Sequence, residues 1–248
     1  MLRGKTYNEV CRNFKWQIPQ YYNIGVDVCD KWANDGHRLA LLYIDRQRNE
    51  QKITFRTLRN QSNQLANALK ANGIDRKDRV GILLSQRPET LISHIAIYKM
   101  AAIAVQLLTL FGPDAIEFRL QDSMAKAVIT DEENLPKILE IKERLPDLKL
   151  IIAVAGGRKH GVMDFAECIT KASRDFTPVK TKPRDPALII YTSGTTGQPK
   201  GTLHGHQLLL GILPGFEFYH NLFPQEGDLM WTPLDWAYIG GSYDALFP

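Results

Sequence analysis

The stretch at residues 191–201, Tyr-Thr-Ser-Gly-Thr-Thr-Gly-Gln-Pro-Lys-Gly, constrains this chain more than any other. It follows the apolar run from Ala187 to Ile190, which reads as a strand. Gly194 and Gly197 let backbone N–H groups approach a ligand, while Thr192, Ser193, Thr195 and Thr196 offer hydroxyls and Lys200 a positive charge. That combination suits a polyphosphate. Pro199 removes a backbone donor and biases Gln198 away from the helical region, so Lys200 is predicted on extended chain. Thr202, Leu203 and His204 can continue as a second strand. The local unit is a strand, a glycine-rich loop and a strand.

This arrangement excludes the Walker A loop, whose lysine opens a helix and is followed by a metal-binding hydroxyl residue. Here Gly201 follows Lys200. The remainder of the chain alternates. Ala40 to Ile44 and Gln51 to Phe55 read as a hairpin around the polar residues 45–50. Phe55 to Ala71 carries Leu58, Leu65, Ala66 and Leu69 at helical spacing, and Asn72-Gly73 closes it as a C-cap. Strands are then predicted at 79–84, 102–107, 126–130 and 149–154. Helices are predicted from Pro88, from Pro113 to Ser123, and from Asn134 to Leu145. The fold class is α/β, with mostly parallel sheet flanked by helices.

Residues 156–161 read as a surface loop, 162–173 as a short helix and 177–186, with three prolines, as linker. Beyond the glycine-rich loop, Gln207 to Phe218 reads as a helix, Asp228 to Thr232 as a strand, and Trp231 as core. Trp236 and Tyr238 beside Gly240 and Gly241 are candidates for an apolar substrate channel, because small residues next to large ones shape a pocket. His204 and His206 lack further ligands at metal-binding spacing, and no metal ligand is assigned.

Composition adds bounds. With 248 residues, 44% hydrophobic and 23% charged, the chain belongs among ordinary globular proteins. Its formal charge of +4 is not concentrated in a basic run, which argues against nucleic-acid binding. Cys11, Cys29 and Cys168 are isolated and fit small thiols in a reducing compartment. No run has the length of a membrane span. The location reads as cytoplasmic; Arg3, Lys5, Arg12 and Lys15 admit an organelle-targeting reading that Glu9 and the missing serines oppose.

The order of residues 191–201 resembles the signature of the adenylate-forming superfamily, the AMP-dependent synthetases and ligases. Ile53-Thr54-Phe55, residues 78–82 and residues 99–107 fall where that superfamily carries similar stretches. Residues 110–115, 203–206 and Trp231-Thr-Pro-Leu-Asp-Trp resemble its medium-chain acyl-CoA synthetase branch. Relatives usually have Gly and Pro where this chain has Ala101 and Gln106. Ala101 is expected at a helix end with little harm. Gln106, in a buried strand, requires a partner or costs about 1–3 kcal/mol.

The resemblance implies the N-terminal part of an adenylate-forming domain over residues 1–248, with the remainder of that domain and the C-terminal lid absent. The aromatic-Gly-x-Thr-Glu segment, the ribose-binding aspartate and the lid lysine are not found in the sequence. It implies ATP, Mg2+ and CoA, a carboxylic acid substrate, and passage through an acyl-adenylate to a thioester. Lys200 takes the catalytic role. Thr192, Ser193, Gly194, Thr195, Thr196, Gly197 and Lys200 grip the nucleotide. The chain alone is expected to be weak or inactive. Two alternatives stay open: a nucleotide-binding remnant or half enzyme that pairs with a complementary C-terminal chain, and another ATP-dependent transferase with a similar loop.

Overall fold

The computed structural model describes residues 4–192, 197–225 and 227–248. Two short helices open the chain. α1 (Tyr7–Asn13) is capped by Thr6 and buries nothing. α2 (Ile24–Val28) is capped by Asn23, whose Oδ1 accepts from Gly25 N–H. The same side chain donates to the carbonyls of Tyr98 at 2.8 Å and Val179 at 3.2 Å, which ties α2 into the body.

β1 (Leu39–Ile44) and β2 (Glu50–Thr54) form the expected antiparallel hairpin as a separate two-stranded sheet. α3 (Phe55–Ala71) matches the predicted helix, starting from Thr54, whose hydroxyl accepts from Thr57 N–H, and ending at Asn72 before Gly73 at φ +80°. Then come β3 (Arg79–Leu83), α4 (Pro88–Lys99), β4 (Ile103–Gln106), α5 (Pro113–Asp122), β5 (Ala127–Asp131), α6 (Leu135–Ile141), β6 (Leu150–Val154), β7 (Met163–Asp164), α7 (Phe165–Lys171), β8 (Pro186–Thr192), β9 (Lys200–Gly205) and α8 (Leu208–Tyr219).

Seven strands form the main sheet in the order β7-β6-β5-β3-β4-β8-β9. Every neighbouring pair is parallel except β8 and β9. The step from β3 to β4 runs one way and the step from β4 to β5 returns across β3, so right-handed crossovers place α4 and α5 on opposite faces. One core accordingly joins α3, α4 and α7 residues such as Leu65, Ile95 and Phe165. The other joins Ile116, Leu120, Leu135 and Ile138 of α5 and α6. β5 and β6 are buried at every residue, as runs covered by helices on both faces require.

Several expectations are corrected. Residues 157–160 form a 3-10 turn between Gly156 and Gly161, both at positive φ. The following helix begins only at Phe165, because Met163 and Asp164 pair with Ile152 and Ala153 of β6. The segment read as linker is bound in place: Val179 N–H donates to Lys99 O at 2.7 Å, and Thr181 Oγ1 donates to Tyr22 O at 2.6 Å. No strand forms at 228–232, and Trp231 is 81% exposed rather than core. Ala101 sits at φ +56°, a left-handed conformation that costs a residue with a β-carbon about 1–2 kcal/mol. Among the described residues no helix is long and apolar enough to cross a membrane.

Candidate functional site

β8 runs parallel to β4, so it delivers the chain to the carboxyl edge of the sheet, where α/β folds bind ligands. β9 returns antiparallel with Thr192 opposite Lys200 and Tyr191 opposite Gly201. The two strands read from the sequence on either side of the loop are therefore observed, and Lys200 opens β9 on extended chain. Ser193, Gly194, Thr195 and Thr196 lie outside the described residues. Thr192 and Lys200 are exposed, and among the described residues no carboxylate pairs with Lys200. Gly197 has φ +114° and open space where a β-carbon would stand, so its backbone is free to face a ligand.

Gly201 is glycine for a different reason. A β-carbon there would come within 3.1 Å of Ile189 Cγ2 and Tyr191 Cζ, so its absence lets the Tyr191 ring lie across the backbone of β9. The Tyr191 hydroxyl donates to Asp122 Oδ2 at 2.6 Å. Burial raises its pKa above the ordinary tyrosine value, and the hydrogen bond to Asp122 adds to the shift, which keeps the phenol a neutral donor.

The second candidate group lies at the end of the chain. Trp236 and Ala237 line a narrow crevice with Ile82, Leu84, Thr90, His94 and Gln106. Gln106 finds partners for its amide nitrogen only: Nε2 donates to Trp236 O at 3.2 Å and to Ser242 Oγ at 3.1 Å. Ser242 Oγ gives its own hydrogen to Tyr238 O at 2.9 Å, so both partners act as acceptors and the amide orientation is fixed. Gln106 Oε1 is buried without a partner. Tyr238 is 54% exposed. Gly241 is buried where a β-carbon would stand 2.2 Å from Asp235 O, so it serves close backbone packing, while Gly240 has Leu234 Cδ1 at 3.3 Å from that position. Trp236 thus meets the crevice, whereas Tyr238, Gly240 and Gly241 are not among its lining residues.

Sequence reasoning missed the polar chain behind this crevice. His94 Nδ1 lies 2.9 Å from Tyr98 Oη, which lies 2.8 Å from Tyr243 Oη. Burial lowers the His94 pKa to about 3 and raises both tyrosines, so all three groups are neutral at neutral pH. The spacing of His94 and Tyr98, one helical turn apart, was the only signal available. Lys200 opens β9 and is not among the residues that line the crevice met by Trp236. Among the described residues no cluster of three or more His, Cys, Asp or Glu could hold a metal ion.

A sequence model of the family described as AMP-binding enzyme matches residues 29–248. The chain belongs to that family. It is 29% identical over 249 residues to the mitochondrial acyl-coenzyme A synthetase ACSM3 of Homo sapiens, covering 97% of this chain and 42% of the relative. It is 29% identical to the acetyl-coenzyme A synthetase of Bacillus subtilis strain 168, covering 98% of this chain and 44% of that protein. The crystal structure of Brucella canis acyl-CoA synthetase superposes with a TM-score of 0.85 at 27% identity, over 97% of this chain and 45% of that one. The chain therefore spans less than half the length of these relatives, and the shared portion is their N-terminal part.

Proposed function

We propose that this chain carries the nucleotide-gripping part of an AMP-forming acyl-CoA synthetase. In that reaction a carboxylate attacks the α-phosphorus of ATP and expels pyrophosphate, and the acyl-adenylate then gives its acyl group to the thiol of CoA. One observation carries the reading: in a member of the AMP-binding family, Lys200 stands exposed at the carboxyl edge of the sheet, directly across from Thr192, with no carboxylate paired to it among the described residues. A cation there stabilises charge gathering on the departing pyrophosphate. Thr192 and the N–H groups around Gly197 would add donors to the same phosphates, joined by Ser193, Gly194, Thr195 and Thr196. Magnesium has no cluster of ligands among the described residues, so no step is assigned to it.

Trp236 would border the acyl group, with Tyr238, Gly240 and Gly241 shaping the surrounding segment. Residues 1–248 would correspond to the N-terminal portion of the AMP-binding domain. A cytoplasmic location is part of the proposal, supported by the free thiols of Cys11, Cys29 and Cys168.

The reading predicts that the 248-residue chain binds ATP, forms little or no thioester, and loses about tenfold or more in nucleotide affinity on Lys200→Ala, the scale of one charge-assisted phosphate contact. Titration with a fluorescent ATP analogue checks the affinity. Robust acyl-CoA production by the purified chain would overturn the weak-activity part.

A second reading, that the chain works with a complementary polypeptide, is favoured by the exposed apolar residues Leu203, Phe218, Tyr219, Leu222 and Leu229 on and after the edge strand β9. Thioester formation restored only on co-expression with the C-terminal part of a related synthetase would support it. The appearance of pyrophosphate rather than ADP in that mixture separates adenylation from other ATP-dependent transfer.

A further inference from the structure

Two described parts of the chain meet at the carboxyl edge: residues 107–112, which follow β4, and the start of β9, which pairs with the end of β8 beside β4. Arg119 of α5 lies between Phe111 of the first and Tyr191, whose ring lies against the second. It is only 7% exposed, and its Cζ sits 4.0 Å from the Phe111 ring centroid and 5.5 Å from that of Tyr191. Nη1 donates to Ala115 O at 2.6 Å, while Nε is buried without a partner. Among the described residues no carboxylate pairs with it. Asp122, one turn further along α5, is engaged by the Tyr191 hydroxyl instead.

A buried guanidinium without a counterion is costly, and an apolar side chain of similar length would fill the space at less cost. What arginine offers beyond bulk is a rigid, planar, charged face that two aromatic rings can hold. The contacts continue on both sides. Phe111 belongs to the connection after β4, which Lys137 also grips through Thr109 O at 2.7 Å. Tyr191 lies against Gly201, its cross-strand partner, and Gly201 adjoins Lys200.

We propose that Arg119 is a positioning residue, whose stack with Phe111, Tyr191 and Gly201 locks residues 107–112 to the start of β9 and fixes the direction in which Lys200 leaves the sheet. The mechanical coupling stands on the geometry alone. Its consequence for ligand binding rests on the reading of Lys200 as a phosphate-binding lysine.

The test compares the 248-residue protein with Arg119→Lys, which keeps the charge without the planar face, and Arg119→Met, which keeps the bulk without the charge. Amide hydrogen exchange is followed by mass spectrometry, and a fluorescent ATP analogue is titrated into each protein. Both variants are expected to speed exchange about tenfold in peptides covering 107–112 and 200–205 together, the scale of a desolvated cation–π contact, with β1–β2 and β5–β6 peptides unchanged. Nucleotide affinity is expected to fall by a similar factor in both, and Lys200→Ala to lose affinity without any change in exchange.

Unchanged exchange in both of these peptides, or a rise in only one, overturns the coupling. A rise spread over the whole chain in the lysine variant also overturns it, since that is the result of ordinary core packing. Coupled exchange in a protein that binds no nucleotide supports the coupling and removes the phosphate-grip reading instead.

Discussion

α4 and α8 have the same length, 12 residues each, carry one proline each and are mostly apolar, yet their surroundings are opposite. In α4 every residue except Glu89 is buried. In α8 only Leu209 and Phe216 are. Pro88 stands at the first helical position, where no hydrogen bond is lost, whereas Pro214 lies inside its helix. The cause is topological. α4 is the crossover between adjacent strands β3 and β4 and lies under α2 and α3, while α8 follows an antiparallel hairpin at the sheet edge. A helix that is apolar all round is expected to be covered all round. Burial in this molecule follows position in the crossover order rather than hydrophobicity.

The largest expected effect breaks the α4 side. Lys99, in its last turn, is fully buried, with Nζ 2.9 Å from both Ser62 Oγ and Asn63 Oδ1 and 2.6 Å from Asp30 Oδ1. Desolvation lowers its pKa, with Asp30 the chief opposing influence. Lys99→Met leaves that carboxylate without its cation, and a loss of about 3–5 kcal/mol is expected from urea unfolding. A loss below about 1 kcal/mol would mean that the ion pair is not what holds α2, α3 and α4 together.

Next in size is a pH effect at the start of α8. His206 is fully buried, its Nδ1 accepts from Ile24 N–H at 3.2 Å, and burial lowers its pKa from 6.5 to about 4. The folded state holds the ring neutral, so between those two values the unfolded chain binds more protons and stability falls as pH falls. Below the folded value the contribution is gone; above 6.5 it is complete. His206→Asn keeps an acceptor for Ile24 and removes the titration. It is expected to flatten the stability slope between pH 6 and 5 by up to about 1.4 kcal/mol per pH unit, leaving the steeper acid range to His94. An unchanged slope would show that His206 is not held neutral.

The same contrast governs what could be read from the sequence. α3 was legible to the residue because Leu58, Leu65, Ala66 and Leu69 at helical spacing and the closing Asn72-Gly73 state the same helix locally. Lys200 was placed on extended chain by Pro199 and by Thr202, Leu203 and His204 continuing as a strand. Trp231 misled, because a short apolar run such as Leu229 to Trp231 becomes a core strand only if a partner strand exists, and among the described residues none pairs with 228–232. The stack of Phe111, Arg119 and Tyr191 was invisible, since it depends on β4 and β8 becoming neighbours across the intervening residues 107–185. Ala101 was misjudged for a similar reason: its left-handed backbone is imposed by the turn from α4 into β4, where Lys77 N–H reaches Ala101 O at 2.8 Å.

That turn gives a smaller effect of opposite sign. Ala101→Gly removes the β-carbon from a residue at φ +56°. The relief exceeds the extra chain entropy that glycine loses, and a gain of about 0.5–1 kcal/mol is expected. A rise in melting temperature measures it. A fall would show that the methyl group, 2% exposed at this site, contributes more by packing than its backbone costs.

The smallest effect tests the exposed side of the comparison. Trp231 is 81% exposed and Leu229 is 72% exposed, so neither gains from folding what a tryptophan or leucine gains in a core. Trp231→Gln is expected to change stability by less than about 0.5 kcal/mol, an ordinary surface value. Urea unfolding of the isolated chain checks that. The informative step is the same variant in the presence of a complementary synthetase fragment. If that fragment covers this surface, wild-type association buries the indole and the variant weakens it at least tenfold, while the stability of the isolated chain stays level. If the fragment binds both proteins equally, the apolar surface beyond α8 is not its seat, and the difference between α4 and α8 reflects only their places in the sheet.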